Sequence, residues 1–141
     1  MNVTSRASLR IDVMSAEGFR SKPYKDTVGK LTIGFGRNLD DVGISKLEGE
    51  VLLDHDLATA EQECRKAFAW FVGLNDVRQR VLVEMAFNLG LPRLRGFKRT
   101  LAAIEAQRFD SAAREMLDSA WSQQVKSRAD RLARMMREGT I

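Results

Sequence analysis

An α+β fold is predicted for this 141-residue chain by three observations. Residues 24 to 36 mix β-branched and aromatic residues with Gly29, Gly34 and Gly36, which reads as a tight hairpin. Most of the remaining chain carries apolar residues at helical spacing. The helical segments are set off by cap-forming residues such as Ser45, Asn75 and Gly90. The layout is a small β-containing lobe and a mainly helical one, with a cleft expected between them. One domain covers 1–141, with lobes of roughly 14–57 (β-containing) and 1–13 together with 58–141 (helical).

The first helix is expected from Thr4, a plausible N-cap. Leu9, Val13 and Met14 recur along it, and Gly18 is a natural residue to follow its last turn, so Glu17 ends it. With the hairpin turn centred on Gly29, Asp26 and Thr32 are equidistant from it and face each other. Ser45 caps a helical region running to about Phe71, with a break expected near Asp54. The next helix starts at Asn75 or Asp76 and ends at Gly90, with Val77, Val81, Leu82, Met85 and Leu89 as its apolar stripe. "LPRLRGFKR" reads as a connector, followed by helices over about 99–107, 110–118 and 125–137.

Composition is that of a globular protein, with 44% hydrophobic and 30% charged residues. The single cysteine, Cys64, reads as a buried structural thiol. The lone histidine, His55, reads as a surface residue without metal-ligand partners, and no metal site is expected. Residues 1–88 hold 12 Lys/Arg against 13 Asp/Glu, whereas residues 89–141 hold 11 against 6, so the excess positive charge belongs to the C-terminal third. That asymmetry suits attraction to a polyanion: nucleic acid, a membrane surface or an anionic wall polymer. The start of the chain has no apolar core like that of a signal peptide, and no segment nears the roughly 18 apolar residues of a membrane span. Accumulation in the cytoplasm is the expectation.

The segment "EGFRSKPYKDTVGKLTIGFG", residues 17 to 36, carries the chemistry. A carboxyl that ends a helix beside a cleft is a candidate proton donor, and a hydrated aspartate on the hairpin that follows is a candidate base. Glu17 and Asp26 would then divide the acid and base roles that glycosidic cleavage requires, with Thr32 holding water against Asp26.

At unchanged spacing, that segment strongly resembles the catalytic stretch of the T-even phage lysozyme family, which are phage endolysins of glycoside hydrolase family twenty-four. "ISKLEGEVLLDHDL", "VLVEMAFNLG" and "GFKRTLAAIEAQRFDSAAREML" with the later "W" and "RADR" extend the resemblance over nearly the whole chain. It implies a lysozyme-like fold without cofactor. It implies Glu17 as general acid, Asp26 as second carboxylate and Thr32 as the residue that positions water. Gly36, Asn38, Phe87, Asn88 and Thr100 fall where the family lines its saccharide cleft. On the residues alone Phe87 reads as core, whereas Asn88 is a polar residue on an apolar helix. Trp121 reads as core beneath the cleft.

Arg128 corresponds to an arginine beside the catalytic Glu, so an ion pair with Glu17 is expected. Arg37 stands where the family commonly has a histidine, and pairing with Asp56 is expected of it. The implied partner is the glycan strand of peptidoglycan, for a monomer that waits in the host cytoplasm until a separate holin opens the membrane, with no direct holin contact. A tail-associated lysozyme, and a lysozyme fold that has lost activity and only binds glycan, are the alternatives within the resemblance. Outside it, "GFGRNL" lacks the third glycine of a dinucleotide loop. Arg128, Arg131, Arg134 and Arg137 would suit phosphate contacts in a basic nucleic-acid-binding module, but that runner-up leaves the first half of the chain unexplained, so no nucleic-acid partner is expected. The same arginines suit contact with a membrane surface.

Overall fold

The computed structural model describes residues 1–141 and is α+β, as expected. It divides into two units, Met1–Val51 and Leu52–Ile141, which are described separately. No helix is long and apolar enough to cross a membrane.

The first unit begins with α1 (Val3–Glu17), so α1 and the sheet share a unit. Asn2 caps it, not Thr4: the Asn2 side chain accepts from the Ser5 N–H at 2.8 Å, and Thr4 lies inside the first turn. The helix ends at Glu17 as expected, because Gly18 adopts φ +70° while its N–H closes on Met14 O at 3.1 Å. α1 buries no residue, and Leu9 and Val13 are exposed.

Strands β1 (Arg20–Lys25), β2 (Leu31–Gly34) and β3 (Arg37–Asn38) follow in an antiparallel sheet of order β1-β2-β3. Pro23 is tolerated because β1 is an edge strand, and its register shifts between Arg20 and Tyr24. The hairpin register differs from the expected one by two residues, which moves the turn centre by one. Tyr24 pairs with Thr32 and Lys25 with Leu31, which centres the turn on Val28, not Gly29. The reason is the loop type. Asp26 N–H donates to Lys30 O and Gly29 N–H to Asp26 O, with Gly29 at φ +85°, a three-residue loop closed by a left-handed glycine. Thr32 therefore sits opposite Tyr24, and Asp26 is its diagonal neighbour on the same side of the sheet.

α2 (Lys46–Ala67) runs through Asp54 without the expected break and stops four residues short of Phe71. Its start is a reciprocal cap. Glu48 N–H donates to Ser45 Oγ at 3.2 Å and Ser45 N–H donates back to Glu48 Oε2 at 2.7 Å. Arg37 adds both terminal nitrogens to the same carboxylate. The Ser45 N–H and then the Arg37 guanidinium hold the Glu48 carboxyl below its ordinary 4.5. A carboxyl depressed on folding stabilises the protein above its unfolded pKa and loses that contribution as pH falls through its folded one. Glu48→Gln is therefore expected to lower the melting temperature at pH 7, with the gap to wild type closing as pH drops below about 4.5 in a melting series.

The hydrophobic core lies in the second unit. After α2 a single 3-10 turn, Phe71–Gly73, leads to α3 (Asp76–Leu89), capped by Asn75 and ended by Gly90 as expected. Val81, Leu82, Met85 and Leu89 are buried, and Val77 packs at their edge. The expected connector contains a short helix, α4 (Leu91–Arg95), because Pro92 suits a first helical turn. α5 (Lys98–Glu105) and α6 (Phe109–Leu117) lie within two residues of their expected bounds. α7 (Ala120–Glu138) starts five residues earlier than expected, capped by Ser119, and is kinked at Val125–Lys126. Cys64 is fully buried, its thiol directed at Leu82 O, and burial pushes it up to about 11. His55 is exposed on α2.

The end of α7 is held from α3. Arg78 stacks its guanidinium 3.6 Å from the Phe109 ring centroid and donates to Met136 O (2.8 Å) and Arg137 O (3.1 Å), while Asn75 Nδ2 donates to Gly139 O. Gly139 stands at φ +69°, and a Cβ there would lie 2.8 Å from Asn75 Nδ2 and 2.9 Å from Arg78. Gly139→Ala is expected to cost about 2 kcal/mol in denaturant unfolding, from left-handed strain and displaced capping groups.

Candidate active site

Glu17 is presented by a helix end. Gly18 turns the chain out of α1 immediately after it, and the Glu17 side chain runs to Gly36 in the turn before β3. A Cβ on Gly36 would fall 3.0 Å from Glu17 Oε2 and 3.3 Å from its Cδ, and Gly36 also has φ +85°. Glycine at 36 therefore leaves space for the Glu17 carboxylate. Glu17 is exposed.

Asp26 is fixed by the hairpin. Its Oδ1 accepts from Val28 N–H at 3.0 Å and from Lys30 N–H at 2.8 Å, so the side chain closes the turn. Its Oδ2 takes no hydrogen bond. Thr32 is the one buried residue of the first unit, 4% exposed, and its hydroxyl donates to Lys30 O at 3.0 Å. The oxygen lone pairs of Thr32 are left to accept.

Asn38 is engaged within its own loop. Its Oδ1 accepts from Asp41 N–H and its Nδ2 donates to Asp41 Oδ2, both at 2.9 Å. Lys30 pairs with Asp41 and Asp40 accepts from Leu31 N–H, so "NLDD" is a clasp on the hairpin. Arg37 corrects an expectation: Glu48, not Asp56, takes its guanidinium, and Gly43 O accepts a further bond at 3.2 Å. Glu48 is already fixed at the start of α2 by Ser45, which makes it a ready acceptor. The Ser-x-x-Glu spacing of a capping box was the signal that could have found it.

In the second unit Phe87 is not core. It is 46% exposed and lines a groove of about 780 Å³ with Leu57, Val83, Glu84 and Arg128. Arg128, expected beside Glu17, has its Nε 3.7 Å from Glu84 Oε1, and Arg131 reaches the same oxygen at 2.5 Å. Arg134 and Arg137 both lie near Glu138. Each arginine of that row thus lies within 4.0 Å of a carboxylate, Glu84 for Arg128 and Arg131 and Glu138 for Arg134 and Arg137. Asn88 is exposed, and its Oδ1 accepts from Trp121 Nε1–H at 2.9 Å. Trp121 is buried as expected, edge-on to Phe97. Thr100 is 2% exposed, beside Trp121 at the base of a depression of about 630 Å³.

An α+β chain with one carboxylate at a helix end, a second on an adjacent hairpin and a buried hydroxyl beside it has the parts of a glycoside hydrolase that works through paired carboxylates. The comparisons make this specific. The family model for phage lysozyme matches residues 14–137, and the chain belongs to that family. It is similar to the probable T4-type lysozyme 1 of Dictyostelium discoideum, 27% identical over 89% of this chain and 91% of that one. It is similar to the probable T4-type lysozyme 2 of the same organism, 27% identical over 96% of each. The pre-baseplate central spike protein Gp5 of Enterobacteria phage T4 is 29% identical over 99% of this chain, which spans 28% of that longer protein. This protein is accordingly a glycoside hydrolase of the lysozyme type.

Proposed function

We propose that the protein is a muramidase that hydrolyses the β-1,4 bond between N-acetylmuramic acid and N-acetylglucosamine in peptidoglycan. The observation that carries this is the hairpin geometry. Asp26 Oδ2 and Thr32 Oγ1 are acceptors on the same side of one sheet, and the Glu17 carboxylate occupies the space that the missing side chain of Gly36 leaves. A water that donates one proton to Asp26 and the other to Thr32 turns its lone pair outward, ready to attack an anomeric carbon. Glu17 supplies the proton to the leaving oxygen. Phe87 and Asn88, both exposed on α3, are the further glycan contacts, the buried Thr100 supports the wall behind Trp121, glycine at 36 leaves room for Glu17, and Asn38 ties its loop to the hairpin.

The role that fits best is that of an endolysin, acting from the host cytoplasm on the wall after a separate holin opens the membrane. The similarity to a phage spike protein keeps a tail-associated role as the second reading. Digestion of purified sacculi followed by reduction and sugar analysis tests the chemistry. New reducing ends on N-acetylmuramic acid are expected. Reducing ends on N-acetylglucosamine, or free amino groups without reducing ends, would replace the muramidase with a glucosaminidase or an amidase.

A further inference from the structure

We infer that Trp121 is a positioning residue that sets the polarity of Asn88, so that Asn88 meets the substrate as a hydrogen-bond donor to an N-acetyl carbonyl or ring-hydroxyl oxygen. This rests on the glycan-cleaving reading above.

An indole N–H can donate but has no lone pair with which to accept. The Asn88 amide is thereby obliged to turn its Oδ1 toward Trp121 Nε1, 2.9 Å away, and its Nδ2 away from it. The indole is itself immobile: Trp121 is 4% exposed, lies near the start of α7 behind the Ser119 cap, and packs edge-on to Phe97 at 6.0 Å. Asn88 stands on the last turn of α3, exposed, and its Nδ2 has no hydrogen-bond partner. A buried residue of one helix thus orients the amide of an exposed residue on another. An asparagine free to flip would offer either an acceptor or a donor. Here the fold selects the donor, which suits the acetamido carbonyls that an N-acetylated glycan repeats along its length.

The test measures hydrolysis of sacculi, and calorimetric binding of a tetrasaccharide of N-acetylglucosamine, for wild type, Trp121→Phe, Asn88→Asp, Asn88→Ala and the Trp121→Phe/Asn88→Ala double variant. Trp121→Phe keeps an aromatic ring and removes the donor. KM and the dissociation constant are expected to rise about three- to tenfold, as for loss of one hydrogen bond, with kcat within about twofold. Asn88→Asp keeps an acceptor for Trp121 but has no outward donor, so it should bind as weakly as Asn88→Ala. The double variant should be no weaker than Asn88→Ala alone. Asn88→Asp binding like wild type, or additive effects in the double variant, would overturn the inference whether or not Trp121→Phe keeps full stability. A wild type that releases reducing ends but shows an unchanged KM in folded Trp121→Phe removes the inference and leaves the muramidase. A wild type that neither cleaves nor binds removes both.

Discussion

Glu17→Gln is expected to lower the rate of reducing-end release from sacculi by at least about 10²- to 10⁴-fold, the usual contribution of a positioned general acid. Glutamine is nearly isosteric, so it fits the space beside Gly36 while the transferable proton is lost. Because Glu17 is exposed and carries no hydrogen bond or ion pair that the fold depends on, its melting temperature should match wild type. Rate and stability are therefore separable at this position. Asp26→Asn makes the complementary case: the amide oxygen can still accept from Val28 and Lys30 N–H, so the turn survives and only the charge is removed. A comparable loss of rate with an intact fold, checked by circular dichroism, is expected.

Phe71→Ala should be the most damaging stability change, at about 3 to 5 kcal/mol in denaturant unfolding. Phe71 is 0% exposed, with Arg65 reaching over its ring, and opens the 3-10 turn between α2 and α3. Its N–H donates to Phe68 O and its carbonyl accepts from Leu74, so the ring is the anchor of the turn as well as part of the core. Removing it leaves a cavity beneath the connection, against which Phe68, Trp70 and Leu74 also pack. A loss of that size is a large share of the roughly 5 to 15 kcal/mol that a domain has to spare.

The elements most legible in the sequence were those bounded by residues with one structural use. Gly18 and Gly90 ended α1 and α3, and Asn75 opened α3, because caps act over three or four residues. Legibility failed where two local solutions compete. Asn2 and Thr4 are both cap formers, and only the hydrogen bond to Ser5 chooses between them. Gly29 looked like the centre of the hairpin, yet it serves as the left-handed residue at the end of the loop, which shifts every pairing and makes Asp26 and Thr32 diagonal neighbours. The partner of Arg37 was sought at a distance, at Asp56, when Glu48 was already fixed nearby by Ser45. Phe87 defied its apolar character because its place on α3 faces away from the stripe that Leu82 and Met85 bury. Asn88 and Trp121 were each singled out in the sequence, but a hydrogen bond across 33 residues has no local signature.

Peptide-free glycan strands isolate the glycosidic bond that Glu17 and Asp26 are proposed to cleave from every other linkage in the wall. The decisive measurement is reducing-end release from such strands by wild type and by the Glu17→Gln/Asp26→Asn variant, both confirmed as folded. Steady release by wild type and none above background by the variant is the predicted result. Equal release by the two, or none from wild type on strands that a control muramidase digests, would contradict it.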